Sequence, residues 1–164
     1  MDVPASLRIT TTVTDTDKAW LADLWVREWG GESMITRGKV HHLSEMAALI
    51  AWDGEQRVGA ATYRLAEDGC ELMSLNALAG GKGVGTALLR ACEEQARLAG
   101  CRRVWLIISN DNLDALRFYQ RRGYHLAAVY PGAIDEARKL KPSIPEVGYH
   151  GIAVRDEIEL EKVL

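Results

Sequence analysis

The sequence predicts an α/β (α+β layered) domain: a single mixed, mostly antiparallel sheet of about seven strands, with helices on both faces. Three observations carry this. The apolar residues switch along the chain between the period of two that suits strands and the period of 3.6 that suits helices. The pairs Asp53-Gly54 and Asp68-Gly69 stand between strand-like runs, as tight turns do. A glycine-rich run, Leu78-Ala-Gly-Gly-Lys-Gly-Val-Gly-Thr-Ala-Leu-Leu89, leads from a strand into a long amphipathic helix.

Taken in order, Leu7 to Val13 alternates and carries Thr and Ile, as a first strand would. Asp15-Thr16-Asp17 offers capping residues for a helix to about Trp29, with Trp20, Leu21, Leu24, Trp25 and Trp29 at helical spacing and Gly30-Gly31 ending it. Residues 32 to 44 fit either a short second helix or a loop. Ala47 to Trp52, Arg57 to Leu65 and Glu71 to Ala77 follow as three strands. Gly83 to Leu98 is the amphipathic helix, with Leu88, Ala91, Cys92 and Ala96 inward, Glu93, Glu94 and Arg97 outward, and Gly100 closing it. Arg103 to Ser109 is a short apolar strand and Asn112 to Arg122 a helix. Tyr124 to Tyr130 and roughly Ile152 to Leu160 finish the sheet. Residues 132 to 150 hold two prolines, Pro142 and Pro145, and fit either a functional loop after one helical turn or a surface excursion.

No repeat or linker interrupts the 164 residues, so one domain, residues 1–164, is expected, large enough for a full core. Apolar residues make up 48% and charged residues 26%, as in a soluble globular protein. A net charge of −3 argues against a nucleic-acid partner. No apolar stretch is long enough for a membrane span, and no signal peptide is visible, so no membrane partner is expected. The three cysteines, Cys70, Cys92 and Cys101, cannot all pair with one another and form no C-x-x-C clip, which fits a reduced, cytoplasmic setting. The histidines, scattered apart from His41-His42, show no metal spacing, so no metal is expected.

Glycine lets a loop turn several backbone N–H groups onto one anion, and the following helix adds free N–H groups and the positive end of its dipole. Phosphate binding is therefore the first expectation for the glycine run. Spacing excludes two common answers. A dinucleotide fingerprint needs a third glycine where Thr86 or Leu88 stands, and a P-loop needs a hydroxyl where Gly83 follows Gly81-Lys82. What remains is G-x-G-x-G at residues 81, 83 and 85. It resembles the pyrophosphate loop, R/Q-x-x-G-x-G/A, of the GNAT superfamily of acyl-CoA-dependent N-acetyltransferases. Gly83 and Gly85 fall on the two glycines. Gly80 stands where that pattern has Arg or Gln, which removes a side chain that commonly supports the loop.

A second segment, Asn112-Leu-Asp-Ala-Leu-Arg-Phe-Tyr119-Gln-Arg-Arg-Gly123-Tyr124, resembles the superfamily's N-x-x-A-x-x-x-Y-x-x-x-G-[FY]. Asn112, Ala115, Tyr119, Gly123 and Tyr124 all fit. The local physics agrees: Asn112 can cap a helix, Gly123 can stop it, and Asn112 and Tyr119 lie about two turns apart on one side. The resemblance spans roughly residues 8 to 130 and implies the superfamily's fold.

It also implies roles. Acetyl-CoA is the expected co-substrate, with Leu75, Ala77, Gly80, Gly81, Lys82, Gly83, Val84, Gly85, Thr86, Asn112, Ala115 and Tyr119 the expected cofactor-binding residues. Arg117, Arg121 and Arg122 either contact phosphates or form a solvated basic face. The superfamily polarises the thioester carbonyl with a backbone N–H at a bulge on the fourth strand, which falls near Leu75; a fixed donor of this kind is worth about 3–4 kcal/mol in other enzymes. Tyr119 is the expected general acid, since a phenol titrates within reach of a thiol; the alternative is a core aromatic. Glu71 is the expected base, provided burial raises its pKa, and the alternative is a polar strand start. Asp156, Glu157 and Glu159 are its rivals; alternation sets Glu157, Glu159 and Glu161 on one face of a last strand, which also suits a solvent-facing one. The acceptor site is expected from residues 29 to 42 and 132 to 150, with Trp29, Met34, His41, His42 and Tyr149 as candidates.

The resulting expectation is an enzyme that acetylates a primary amine, of a small molecule rather than a protein, by direct attack in a ternary complex. A homodimer is an open expectation from the resemblance. The alternative, kept open by Gly80, is an inactive acyl-CoA-binding or interaction protein of the same fold.

Overall fold

The computed structural model describes residues 6–11, 14–78 and 83–164. The elements are β1 (Leu7–Thr10), α1 (Asp15–Trp29), β2 (Ser33–Thr36), β3 (Lys39–His42), β4 (Ala47–Asp53), β5 (Gln56–Ala66), β6 (Gly69–Ala77), α2 (Val84–Leu98), β7 (Arg103–Ser109), α3 (Leu113–Gln120), β8 (His125–Tyr130), α4 (Ala133–Leu140) and β9 (Glu157–Val163). Seven strands form one mixed sheet in the order β1-β4-β5-β6-β7-β9-β8. Every neighbouring pair is antiparallel except β6 with β7. The fold class read from the sequence is the observed one.

Local chemistry explains the elements. Thr14 caps α1: its hydroxyl accepts from Asp17 N, and the Asp17 carboxylate accepts from Thr14 N, both at 3.1 Å. The cap is therefore Thr14, one residue before the stretch the sequence suggested. In β4, Leu49 and Ala51 face α2 while Ala48 and Ile50 face α1, because alternate side chains leave a strand on opposite faces. The helices thus cover both faces of the sheet. Val84, Leu88, Leu89, Cys92 and Ala96 of α2 join Leu72, Val104, Leu106 and Tyr119 in the larger core.

Several expectations are corrected. Residues 33 to 42 are neither helix nor loop but the hairpin β2–β3, turned at Arg37 and Gly38 with φ of 51° and 78°. A Gly in a two-residue turn with both φ positive favours this hairpin geometry. Glu93, assigned to the outer face of α2, is buried, because Tyr124 Oη donates to it at 2.8 Å and Lys162 Nζ approaches at 3.2 Å. Within 132 to 150 there are two turns of helix, α4, rather than one. The last strand is shifted, starting at Glu157 and not Ile152. Glu157 and Glu159 are buried, because β9 lies inside the sheet between β7 and β8. The expected first strand reached Val13; residues 12 and 13 lie outside the described residues.

Candidate active site

β6 and β7 run parallel only from Cys70↔Val104 to Leu72↔Leu106. Beyond that the two strands separate. Among the described residues, β6 from Met73 onward keeps β5 on one side and has no strand on the other. Here β6 also carries a one-residue irregularity: Thr62 pairs Ser74 and Tyr63 pairs Leu72, so Met73 is the extra residue. The bulge thus falls at Met73 and not at Leu75, which pairs in register with Ala61. The extra residue bends β6 away from β7 and opens the gap.

The gap is the head of a cleft of about 620 Å³. Its walls are Leu72 to Leu75 of β6, Leu106 to Ser109 of β7, and Asn112, Ala115 and Tyr119 along one side of α3. Its far end is built from Trp29, the hairpin residues Met34, Ile35 and Thr36, Lys141, Tyr149 and Glu157. Lys141 ties this end together by donating to Trp29 O at 2.7 Å and Ser33 O at 2.6 Å. Residues 29 to 42 and 132 to 150 do converge, as the sequence suggested. Trp29, Met34 and Tyr149 line the cleft; His41 and His42 do not.

Asn112 caps α3, its Oδ1 accepting from Ala115 N at 3.2 Å, and its side chain borders the cleft. Tyr119, two turns on, is 7% exposed and borders the cleft too. Phe118 and Tyr124 meet it edge-on, with ring centroids 5.1 and 5.6 Å away. Burial pushes its phenol well above the usual tyrosine range, and a smaller opposing effect comes from Arg122. The hydroxyl therefore keeps its proton at every physiological pH.

Gly83, at φ 74°, is the N-cap of α2, and Gly85 stands in its first turn. A Cβ on Gly85 would come 3.4 Å from the Phe118 ring and 3.9 Å from Ala77. The two glycines thus serve different ends: one provides a left-handed turn, the other close packing of α2 on α3. Val84 is core and Thr86 follows Gly85 in the first turn. Arg122 donates from Nε to Thr86 Oγ1 and from Nη1 to Phe118 O, both at 2.9 Å, while its guanidinium stacks 3.7 Å over the Phe118 ring. One cation is thereby fixed beside the first turn of α2. Arg117 instead faces solvent near Asp114. Gly80, Gly81 and Lys82 lie outside the described residues.

The carboxylates behave differently from one another. Glu71 is fully buried, paired with Arg64 at 2.7 Å and accepting from Thr36 Oγ1 at 2.9 Å. Burial raises its pKa, as the sequence reading required, but it does not line the cleft. Glu159 pairs with Arg103 at 3.5 Å and accepts from Tyr130 Oη at 2.9 Å; Glu161 pairs with Arg103 at 2.6 Å. Glu157 lines the cleft, is 3% exposed, and is held by Arg37 N, which donates to Oε1 at 3.0 Å. No ion pair among the described residues includes it. Asp111 also borders the cleft, its Oδ2 accepting from Tyr149 N at 2.9 Å. Nothing in the local sequence marks Asp111 or Lys141; their positions depend on the 132 to 150 segment folding back.

Among the described residues, no group of three or more His, Cys, Asp or Glu is arranged to hold a metal, and no helix is long and apolar enough to cross a membrane.

Comparison with known proteins gives a consistent result. Residues 10–124 match the model of the acetyltransferase (GNAT) family. YdhI of Bacillus subtilis is 42% identical over 148 residues, covering 90% of this chain and 92% of YdhI. The solved structure of a Bacillus subtilis acetyltransferase in complex with CoA is similar at a TM-score of 0.72 and 21% identity, over 96% of this chain and 99% of that one. An IAA acetyltransferase from Bacillus cereus is similar at a TM-score of 0.71 and 21% identity, over 97% of this chain and 100% of that one.

Proposed function

The chain belongs to the acetyltransferase (GNAT) family, and from that premise we propose that it moves an acetyl group from acetyl-CoA to a primary amine of a small molecule. The observation that carries this reading is the opening between β6 and β7, with Tyr119 on its wall. A thioester lying in that opening meets the unpartnered edge of β6 and a protonated phenol. Acetyl-CoA as the co-substrate is further supported by the similar Bacillus subtilis structure, which holds CoA.

Each part of the co-substrate has a counterpart. The pyrophosphate lies at the first turn of α2, where Gly83, Val84, Gly85 and Thr86 offer free N–H groups at the positive helix end, reinforced by Arg122. The pantetheine arm runs along the edge of β6 past Ala77 and Leu75 and against Asn112 and Ala115. A backbone N–H on the edge of β6 that faces the gap, at or beyond the Met73 bulge, polarises the carbonyl; it is fixed in advance, so no reorganisation is needed as the oxyanion forms.

The amine attacks the carbonyl carbon directly. The C–N bond forms, the C–S bond breaks, and the thiolate takes the proton of Tyr119 Oη. One N–H proton of the attacking amine, acidic once C–N has formed, restores the phenol. A phenol held above its usual range is a reluctant donor in water. In this cleft the thiolate is desolvated as well and is a correspondingly stronger base, so the two remain matched.

The cleft's far end favours a small acceptor: about 620 Å³ must hold both the pantetheine tip and the amine. The test is calorimetric titration with acetyl-CoA, followed by mass spectrometry of reactions with amino acids, polyamines, aminoglycosides and lysine peptides. N-acetylated small amines are expected. Exclusive acetylation of the peptides would overturn the small-molecule part. Tight acetyl-CoA binding with no product from any amine would favour a binding protein of this fold.

A further inference from the structure

Four carboxylates cluster where β6, β9 and the tip of the hairpin β2–β3 meet: Glu71, Glu157, Glu159 and Glu161. Three of them are occupied by cations, Glu71 by Arg64 and the other two by Arg103. Glu157 differs in two respects. It has no ion-pair partner among the described residues, and it alone of the four lines the cleft. Its Oε1 is anchored by the Arg37 peptide N–H at 3.0 Å, while no hydrogen bond among the described residues engages Oε2.

On the reading that the cleft acetylates an amine, the geometry points to Glu157 as the general base that deprotonates the acceptor ammonium, with Glu71 a positioning residue acting through the hairpin tip. The ammonium gives one N–H proton to Glu157 Oε2, and the electron pair so released is the one that attacks the thioester carbonyl. The proton then passes from Glu157 to solvent. Together with the exchange at Tyr119, one proton is released per amide formed.

The positioning argument rests on two consecutive residues. Thr36 Oγ1 donates to Glu71 Oε2 at 2.9 Å, and Arg37 N donates to Glu157 Oε1 at 3.0 Å. Arg37 is held at φ 51°, a left-handed conformation that non-glycine residues adopt at a cost. Glu71 therefore fixes the hairpin tip whose next peptide unit fixes Glu157. The groups facing Glu157 are Glu71 from β6, Arg37 from the hairpin tip and Tyr130 from β8, while Asp111 and Lys141 border the same cleft. Burial is the main influence on its pKa and raises it; the Glu71 charge adds to the rise and Arg37 opposes it. A carboxylate raised in this way is a stronger base, better matched to an ammonium near neutral pH.

The experiment is kcat against pH with saturating acetyl-CoA and the fastest amine among putrescine, spermidine, kanamycin and a lysine peptide. It compares the wild type with Glu157→Gln and Glu71→Gln, alongside acetyl-CoA affinity by calorimetry and thermal melts. The wild type is expected to show an acidic limb above the ordinary carboxylate range. Glu157→Gln is expected to lose about 100-fold or more in kcat, and the limb with it, at unchanged acetyl-CoA affinity. In Glu71→Gln the limb should persist but move to lower pH, because a like charge has been removed. A limb that survives in Glu157→Gln, a loss there of less than about threefold, or a wild-type profile without a limb would overturn the assignment. So would loss of the limb in Glu71→Gln alone. Absence of acetyl-CoA binding or of any turnover would instead bring down the acetyltransferase reading, and this one with it.

Discussion

Tyr119 and Glu157 enter the cleft by different routes, and that decides how far each could be seen in the sequence. Tyr119 is set by a local pattern: Asn112 caps α3, and two helical turns carry Tyr119 to the same side. Eight residues of sequence, Asn112 to Tyr119, hold that information. Glu157 depends on β9 lying between β7 and β8, and on a hairpin 120 residues away delivering the Arg37 N–H. Alternation gave the correct face of the strand but could not show that the face is covered. Two outcomes follow at this scale. Tyr119→Phe keeps the ring packing and removes only the hydroxyl, so kcat should fall by about 10²-fold or more while the acetyl-CoA dissociation constant stays the same; stopped-assay kinetics and calorimetry check it. Glu157 and Glu71 both have raised pKa values, so in the window above the ordinary carboxylate value the folded state binds more protons than the unfolded one. Their contribution is fully present below that value and is lost as pH rises through the folded pKa. Thermal melts from pH 4 to 8 should therefore fall less steeply for Glu157→Gln than for the wild type.

At the scale of elements, the cleft exists because β6 leaves β7 after Leu72 while α2 stays close to β5 and β6. Gly59 in β5 makes that closeness possible. A Cβ there would meet Asn76 O at 2.7 Å, Val84 Cγ1 at 2.9 Å and Leu88 Cδ1 at 3.1 Å. Gly59→Ala should push α2 off the sheet and destabilise the fold by about 1–3 kcal/mol, read by urea unfolding, and should weaken acetyl-CoA binding because the first turn of α2 moves. The strands, α1, α2 and α3 were legible because their periodicities are strong. The hairpin β2–β3 was not: its strands have four residues each, too short for alternation to stand out, and only Arg37-Gly38 marks the turn. The bulge was equally hidden, since no residue type at Met73 distinguishes an extra residue from a paired one.

Across the whole molecule, the two halves of the sheet are joined by side chains as well as by strands. Glu93 of α2 is buried against Tyr124, which follows α3, and is also approached by the half-exposed Lys162 of β9. Tyr124→Phe removes a hydrogen bond to a buried carboxylate and should cost about 1.5–3 kcal/mol in urea unfolding, with the cleft unaffected. This triad was not legible, because an acidic residue on an amphipathic helix looks like surface until its partners are known. The central claim concerns the cleft as a catalyst, and it is tested most directly by following thiol release and N-acetylated product in the same reaction, with and without amine. The account expects release that requires the amine, matches the product one to one, and collapses in Tyr119→Phe. Thiol release that ignores the amine, or that persists unchanged without the Tyr119 hydroxyl, would contradict it.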